Sequence, residues 1–368
     1  MGEILDSHGD NRLDVHVGLT LDDVRPPSDE EILRVEDLTV EFPTDDGVVH
    51  AVRGVSYVLH QREVLGIVGE SGSGKSVSSM AVMGLLPRTA RISGRIFFRG
   101  EDVLALPARR RRDLRGKKIA MVFQDPMTAL NPVFTIGDQL AEAVLAHELM
   151  PRKQALGRAR EMLDLVGIPQ AEARLRAYPH EFSGGMRQRA MIAMAVINNP
   201  DVIIADEPTT ALDVTVQAQI LEKLIEVKDA VNAAIVLITH DLGVIAGMAH
   251  KVLVMYAGKP VEVADTDAIF YSPRMPYTAG LLGSMPSTDT TGHRLRPIKG
   301  APPSLINLPS GCPFSPRCPL ADEECVTREP DLTLTDALDH RAACHHWPKM
   351  KAADDPTVFF RAESEIQG

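Results

Sequence analysis

Between Ile32 and about Val263 the chain alternates short apolar runs with amphipathic stretches. Four runs, at 64–68, 119–123, 202–205 and 234–238, have no charged or amide side chain inside them. A strand buried on one face alternates apolar and polar positions, whereas a strand buried on both faces does not. These runs therefore predict the central strands of a parallel sheet. Helical periodicity falls between them, over 75–86, 136–149, 153–166, 186–198 and 214–231. Strands alternating with helices predict an α/β fold. Residues 136–177 are almost wholly helical in pattern, which predicts a helical subdomain, about 125–200, inserted into that fold.

The two ends read differently. Residues 1–32 are acidic, contain Arg25-Pro26-Pro27 and show no period, so they predict a flexible lead-in. Beyond about residue 270, Pro273, Pro276, Pro286, Pro297, Pro302, Pro303 and Pro309 should break up any long element. That predicts a linker and a loop-rich extension over 271–368.

Composition narrows the function classes. The 39 basic and 50 acidic residues leave a net charge of −11, which argues against nonspecific binding to nucleic acid or anionic lipid. Aromatics are 4%, too few for base-stacking platforms. No apolar run approaches the roughly 18 residues of a membrane span. The first 24 residues lack the basic and apolar regions of a signal peptide, so a cytosolic chain is expected. Any membrane role then has to come through a partner.

Gly69-Glu70-Ser71-Gly72-Ser73-Gly74-Lys75-Ser76 matches G-x-x-x-x-G-K-[ST], between a strand pattern and a helical one. Gly72 and Gly74 let backbone N–H groups turn inward on a phosphate. Lys75 opens the helix, where the dipole already favours an anion, and Ser76 can ligate Mg²⁺. Asp206 and Glu207 end the apolar run 202–205, where ligands bind in open parallel sheets. Asp206 is placed to hold Mg²⁺, and Glu207 to polarise an attacking water.

These motifs stand with others. Tyr178-Pro179-His180-Glu181-Phe182-Ser183-Gly184-Gly185-Met186-Arg187-Gln188-Arg189 resembles the signature of ATP-binding-cassette (ABC) ATPases. Gln124 resembles the Q-loop glutamine, Thr210-Ala211-Leu212-Asp213 the D-loop, and His240 the switch histidine. The resemblance covers about 33–270 and implies a P-loop ABC-type nucleotide-binding domain that binds ATP and Mg²⁺. It implies catalytic roles for Glu207, His240 and Gln124, with Gln124 also near Mg²⁺. It further implies that Ser183, Gly184, Gly185 and Asp213 complete the site of a second cassette, as homodimer or heterodimer. Phe42 is a candidate adenine platform, or a strand residue packed in the core. Phe182 and Met186 stand where many ABC proteins have Leu and Gln. Phe182-Ser183-Gly184-Gly185-Met186 and the segment Asp125 to Pro132 resemble the peptide-importer branch in particular. Arg109–Arg112, with Arg115, Lys117 and Lys118, read as a solvated helix face or as a contact to lipid headgroups.

All four cysteines lie in the extension. Cys312, Cys318, Cys325 and Cys344 are separated by five, six and eighteen residues, with no C-x-x-C. Thiolates converging from a loop-rich segment suit an iron–sulfur cluster, with zinc or free buried thiols as alternatives. Residues 277–346 are similar to the C-terminal extension of oligopeptide/dipeptide importer ATPases. That resemblance implies that the four cysteines ligate a [4Fe–4S] cluster; His345 and His346 could enter a zinc site, but are expected behind the ligands or exposed. It also implies peptide import through two membrane permease subunits, a second ABC ATPase and an extracytoplasmic peptide-binding protein, at the cytoplasmic face of the membrane. A soluble ABC ATPase of translation, DNA repair or cluster assembly is the rival reading.

Overall fold

The computed structural model describes residues 31–210, 213–285, 298–337, 339–353 and 356–360. The expected lead-in at 1–30 and the Ala211-Leu212 step of the D-loop-like segment lie outside them. Glu31 and Ile32, expected to belong to the lead-in, already form the start of the first strand.

The described strands run in chain order β1 (Glu31–Thr44), β2 (Gly47–His60), β3 (Val64–Val68), β4 (Arg91–Phe98), β5 (Glu101–Asp102) and β6 (Ile119–Val122). They continue with β7 (Val202–Asp206), β8 (Ala234–Thr239), β9 (Lys251–Tyr256), β10 (Lys259–Asp265), β11 (Thr333–Leu334) and β12 (Arg341–Ala342). Two sheets result, one in the order β2-β1-β4-β5 and one in the order β11-β12-β10-β9-β3-β8-β7-β6. The first is antiparallel. In the second, β9, β3, β8, β7 and β6 are parallel neighbours.

The unbroken apolar runs have a direct physical cause. Leu65, Ile67, Met121, Val202, Ile204, Val236 and Ile238 point into a core shared with the antiparallel sheet. Their neighbours Val64, Val68, Ala120, Val122, Ile203, Ala205, Ile235 and Leu237 point into a second core, shared with helices. Each central strand is thus sealed on both faces.

The helical subdomain supplies much of that second core. Its helices include Ile136–Leu145, Arg152–Leu165 and Gly184–Val196. Backbone bonds from Ile136 N–H to Ala177 C=O and from Gly137 N–H to Leu175 C=O, both 2.9 Å, close its two ends on each other. Predicted helices ran too long at their C-termini, because Gly84 caps Lys75–Met83 in a left-handed conformation and Ala146 caps Ile136–Leu145. Helix Val214–Val231 spans the predicted range.

Past residue 270 the prolines do not only break structure. Pro276 occupies the first turn of helix Pro276–Gly283, where its missing N–H costs nothing. The extension also returns to the cassette. Strand β12 pairs with β10 and adds two strands to the sheet edge. Fully buried Glu262 of β10 bonds His340 Nε2 at 2.7 Å and accepts from the Met275 N–H at 3.2 Å.

Candidate functional site

The phosphate-loop motif follows β3 and leads into helix Lys75–Met83. Gly69, Gly72 and Gly74 have φ of 152°, 79° and 99°, values that side chains with a Cβ rarely adopt. A Cβ on Gly74 would stand 2.3 Å from the Ala51 carbonyl oxygen, and one on Gly69 2.2 Å from that of Met255. A Cβ on Gly72 would meet open space. The loop is therefore pressed against β2 and β9 on one side and open on the other. Lys75 is buried, and its Nζ donates to the carbonyls of Gly69 at 2.7 Å and Glu70 at 3.0 Å. Burial pulls the Lys75 ammonium below its usual range, against the opposing pull of Glu207, Asp206 and Glu70. Ser71 and Ser73 complete the loop, and the buried Ser73 Oγ has no hydrogen-bond partner among the described residues.

The acidic strand end lies beside it. Asp206, last residue of β7, accepts from Ser76 Oγ at 2.9 Å. Burial raises the Asp206 carboxyl, and the Ser76 bond opposes that shift. Glu207 takes a φ of 47°, strained for a residue with a side chain, and its N–H is held by the Ile238 carbonyl at 2.9 Å. Three residues from separate segments converge on its carboxylate. Gln124 Nε2 donates at 2.9 Å, Thr210 Oγ1 donates at 2.8 Å, and His240 Nδ1 stands 3.3 Å away. Gln124 and His240 are exposed, so this cluster opens to solvent.

Other candidates lie apart from that cluster. Phe42 sits on β1 opposite Val49, half-buried against the core between the sheets. Ser183 caps helix Gly184–Val196 by accepting from the Met186 N–H at 3.3 Å, and Ser183 and Gly184 are exposed. Gly185 allows close packing on helix Val214–Val231, since a Cβ there would meet Val216 Cγ1 at 2.9 Å. Asp213 caps that second helix through the Val216 N–H at 3.0 Å. The basic run occupies the short helix Ala108–Leu114, where Arg110 pairs with Glu101 at 3.0 Å.

The extension brings all four cysteines together. Cys312 and Cys325 are buried, and Cys318 and Cys344 partly so. Cys312 and Cys325 lie near enough to Cys318 and Cys344 to add to the cost of ionising those two thiols, a smaller effect than their burial. Burial pushes the Cys312 thiol up to about 11 and those of Cys318 and Cys344 to about 12. The Ser315 N–H bonds the Cys312 carbonyl at 2.9 Å, the Ala321 N–H the Cys318 carbonyl at 3.3 Å, and the His346 N–H reaches Cys344 Sγ at 3.3 Å. Asp322, Cys325 and His346 also offer ligand atoms within 4.8 Å of one another. The His345 and His346 side chains are only 10% and 11% exposed, so neither is a free surface histidine.

Three residues escaped the sequence reading. Thr210 belongs to the D-loop-like segment, and its hydroxyl bonds Glu207, a contact the motif does not mark. Tyr277 and Arg317 both reach Glu70 of the phosphate loop. Both stand inside segments with recognisable motifs, but nothing local announces so distant a partner.

Fold and site together define a P-loop protein of the ABC transporter class, and the comparisons agree. The ABC transporter family model matches residues 52–210, and the model for the oligopeptide/dipeptide transporter C-terminal region matches 261–325. A solved structure of cbiO1 from Clostridium perfringens, part of the ABC transporter complex cbiONQ, is 27% identical with a TM-score of 0.57. It covers 68% of this chain and 95% of its own. The dipeptide transport ATP-binding protein DppD of Bacillus subtilis is 55% identical over 307 residues, 83% of this chain and 92% of DppD. The oligopeptide transport ATP-binding protein OppD of Mycobacterium tuberculosis is 56% identical over 315 residues, 85% of this chain. The chain spans only 51% of that mycobacterial protein, about half its length. The chain belongs to the family of oligopeptide/dipeptide transport ATP-binding proteins. No helix among the described residues is long and apolar enough to cross a membrane.

Proposed function

We propose that this chain is an ATP-hydrolysing subunit that energises import of di- and oligopeptides. The carrying observation is the convergence of Gln124, Thr210 and His240 on Glu207, beside the Asp206–Ser76 pair. The loop amides and Lys75 take the phosphates of ATP. Glu207 orients the attacking water as general base, and its three neighbours fix the carboxylate. His240 reaches the γ-phosphate. Ser76, Asp206 and Gln124 would hold Mg²⁺, which neutralises charge on the phosphates. Phe42 stacks on the adenine. Ser183, Gly184, Gly185 and Asp213 complete the nucleotide site of a second ABC ATPase, which the peptide-importer likeness favours as a different chain.

The surface around Gln124 supports membrane partners. Phe123, Met127, Val133 and Phe134 are exposed large apolar side chains within twelve positions. An apolar patch of this kind suits docking on two integral-membrane permease subunits from the cytoplasmic side. An extracytoplasmic binding protein would deliver the peptide.

The four cysteines would hold a [4Fe–4S] cluster, which would cross-link an extension poor in regular structure. Zinc is the lesser reading, through the same sulfurs or through Asp322, Cys325 and His346. Iron and sulfide analysis of anaerobically purified protein separates the two, and zinc without sulfide ends the cluster reading.

Glu207→Gln should lower ATP turnover on the order of 100-fold or more while nucleotide binding persists. Near-normal turnover in that variant would refute the assigned role. Affinity purification from detergent-solubilised membranes should recover two multi-span permeases and a second cassette. Recovery only from the soluble fraction with ribosomal, nucleic-acid or cluster-assembly partners would overturn the transporter reading.

A further inference from the structure

Glu70 is gripped at every polar group. Its N–H donates to Tyr277 Oη at 2.8 Å. Its carbonyl accepts from Lys75 Nζ at 3.0 Å and from the Ser73 N–H at 3.2 Å. Its carboxylate takes both terminal nitrogens of Arg317, at 2.6 and 2.8 Å. Two of these three groups are held by residues of the extension, and the third holds the phosphate-binding lysine.

The grip is built rather than incidental. Tyr277 is fully buried, and the Arg317 side chain is 4% exposed. Arg317 Nη1 also donates to Tyr256 Oη at 3.2 Å, and its guanidinium carbon lies 5.8 Å from the centre of the Phe314 ring. Tyr256, Tyr277 and Phe314 pack on one another with centroids 4.5 to 5.4 Å apart. A two-pronged pair whose arginine is buried fixes orientation as well as distance. Arg317 and Phe314 both lie in the loop between Cys312 and Cys318, so the walls of the cysteine site and the clamp on Glu70 are one piece of chain. The same extension pins the neighbouring strand β2, through Arg53 to Glu329 at 2.9 Å and His50 N–H to Leu305 C=O at 3.0 Å.

We propose that Tyr277 and Arg317 are positioning residues for the phosphate loop, so that the folded extension sets the loop's affinity for nucleotide. This rests on the nucleotide-binding reading above. Coupling of this kind is reciprocal, so bound nucleotide must also be felt in the extension. Trp347, the single tryptophan of the chain, opens a helix three residues after Cys344 and reports on that segment.

The test is calorimetric titration of the full-length chain with MgADP, alongside Trp347 fluorescence. Wild-type protein should bind, and failure to bind would sink the nucleotide reading itself. Tyr277→Phe keeps the packed ring and removes only the hydroxyl, and should weaken binding about three- to tenfold. Arg317→Ala should weaken it about tenfold, with partial recovery in Arg317→Lys. Glu70→Gln combined with Arg317→Ala should bind no worse than the poorer single variant, because both break one contact. MgADP should change Trp347 emission in wild type and much less in Arg317→Ala. A purely structural clamp would lower the melting temperature and leave the dissociation constant of the folded protein alone. Wild-type affinity in Tyr277→Phe and Arg317→Lys, or additive losses in the double variant, would overturn the proposal.

Discussion

Two helices of this chain begin at a Ser-Gly step, and their N-termini differ in almost every respect. Helix Lys75–Met83 starts from Gly74 with no side-chain cap, Lys75 is buried, and backbone from β2 and β9 crowds the loop. Helix Gly184–Val196 starts from an exposed Ser183 whose hydroxyl caps its own Met186 N–H. Both ends present the positive pole of a helix and unpaired amides. Only the first is enclosed by its own chain, with Asp206, Glu207 and the extension around it. A helix end finished within one chain can shape its ligand site alone. An end left on the surface with a self-satisfying cap suits a site that another surface completes, as proposed for Ser183.

The sharpest way to break that contrast is to remove charge from the enclosed end. Lys75→Ala should cost on the order of 100-fold in MgATP affinity, because a buried charge loses its partner. Titration calorimetry checks it, and Ser183→Ala measured in parallel should change single-chain affinity far less while lowering turnover. Equal losses in both would erase the distinction.

The glycines test the same contrast through sterics. Gly74→Ala combines a φ of 99° with a backbone oxygen 2.3 Å away that cannot swing aside, so about 3 kcal/mol of stability should be lost. Gly185→Ala faces only the end of a valine side chain at 2.9 Å and should cost about 1 kcal/mol or less. Urea unfolding of the two variants gives the comparison directly. A similarly small effect belongs to the exposed cap: Ser183→Ala should cost about 1 kcal/mol in the same unfolding experiment, from the lost bond to Met186.

What could be read in advance tracks how local the physics is. Strands β3, β6, β7 and β8 were legible because burial on both faces leaves an unbroken apolar run of known length. The antiparallel sheet was not, since β1 is bulged against both neighbours, with register shifts near Val35 and Leu38, and a bulge breaks the period of two. The proline-rich region was misread where Pro276 starts a helix, because one residue type both ends and begins helices.

By itself the sequence determined the phosphate loop, the acidic strand end and the four-cysteine spacing, because each is chemistry carried by neighbours within about ten to thirty residues. Tertiary structure alone decided which groups meet at them. Gln124 reaches Glu207 across 83 positions, Tyr277 reaches Glu70 across 207, and Arg317 reaches it across 247. No local period encodes such a pair. It exists only because sheet order and the returning extension bring separate segments to one place, where burial makes a bonded charge favourable and an unbonded one costly.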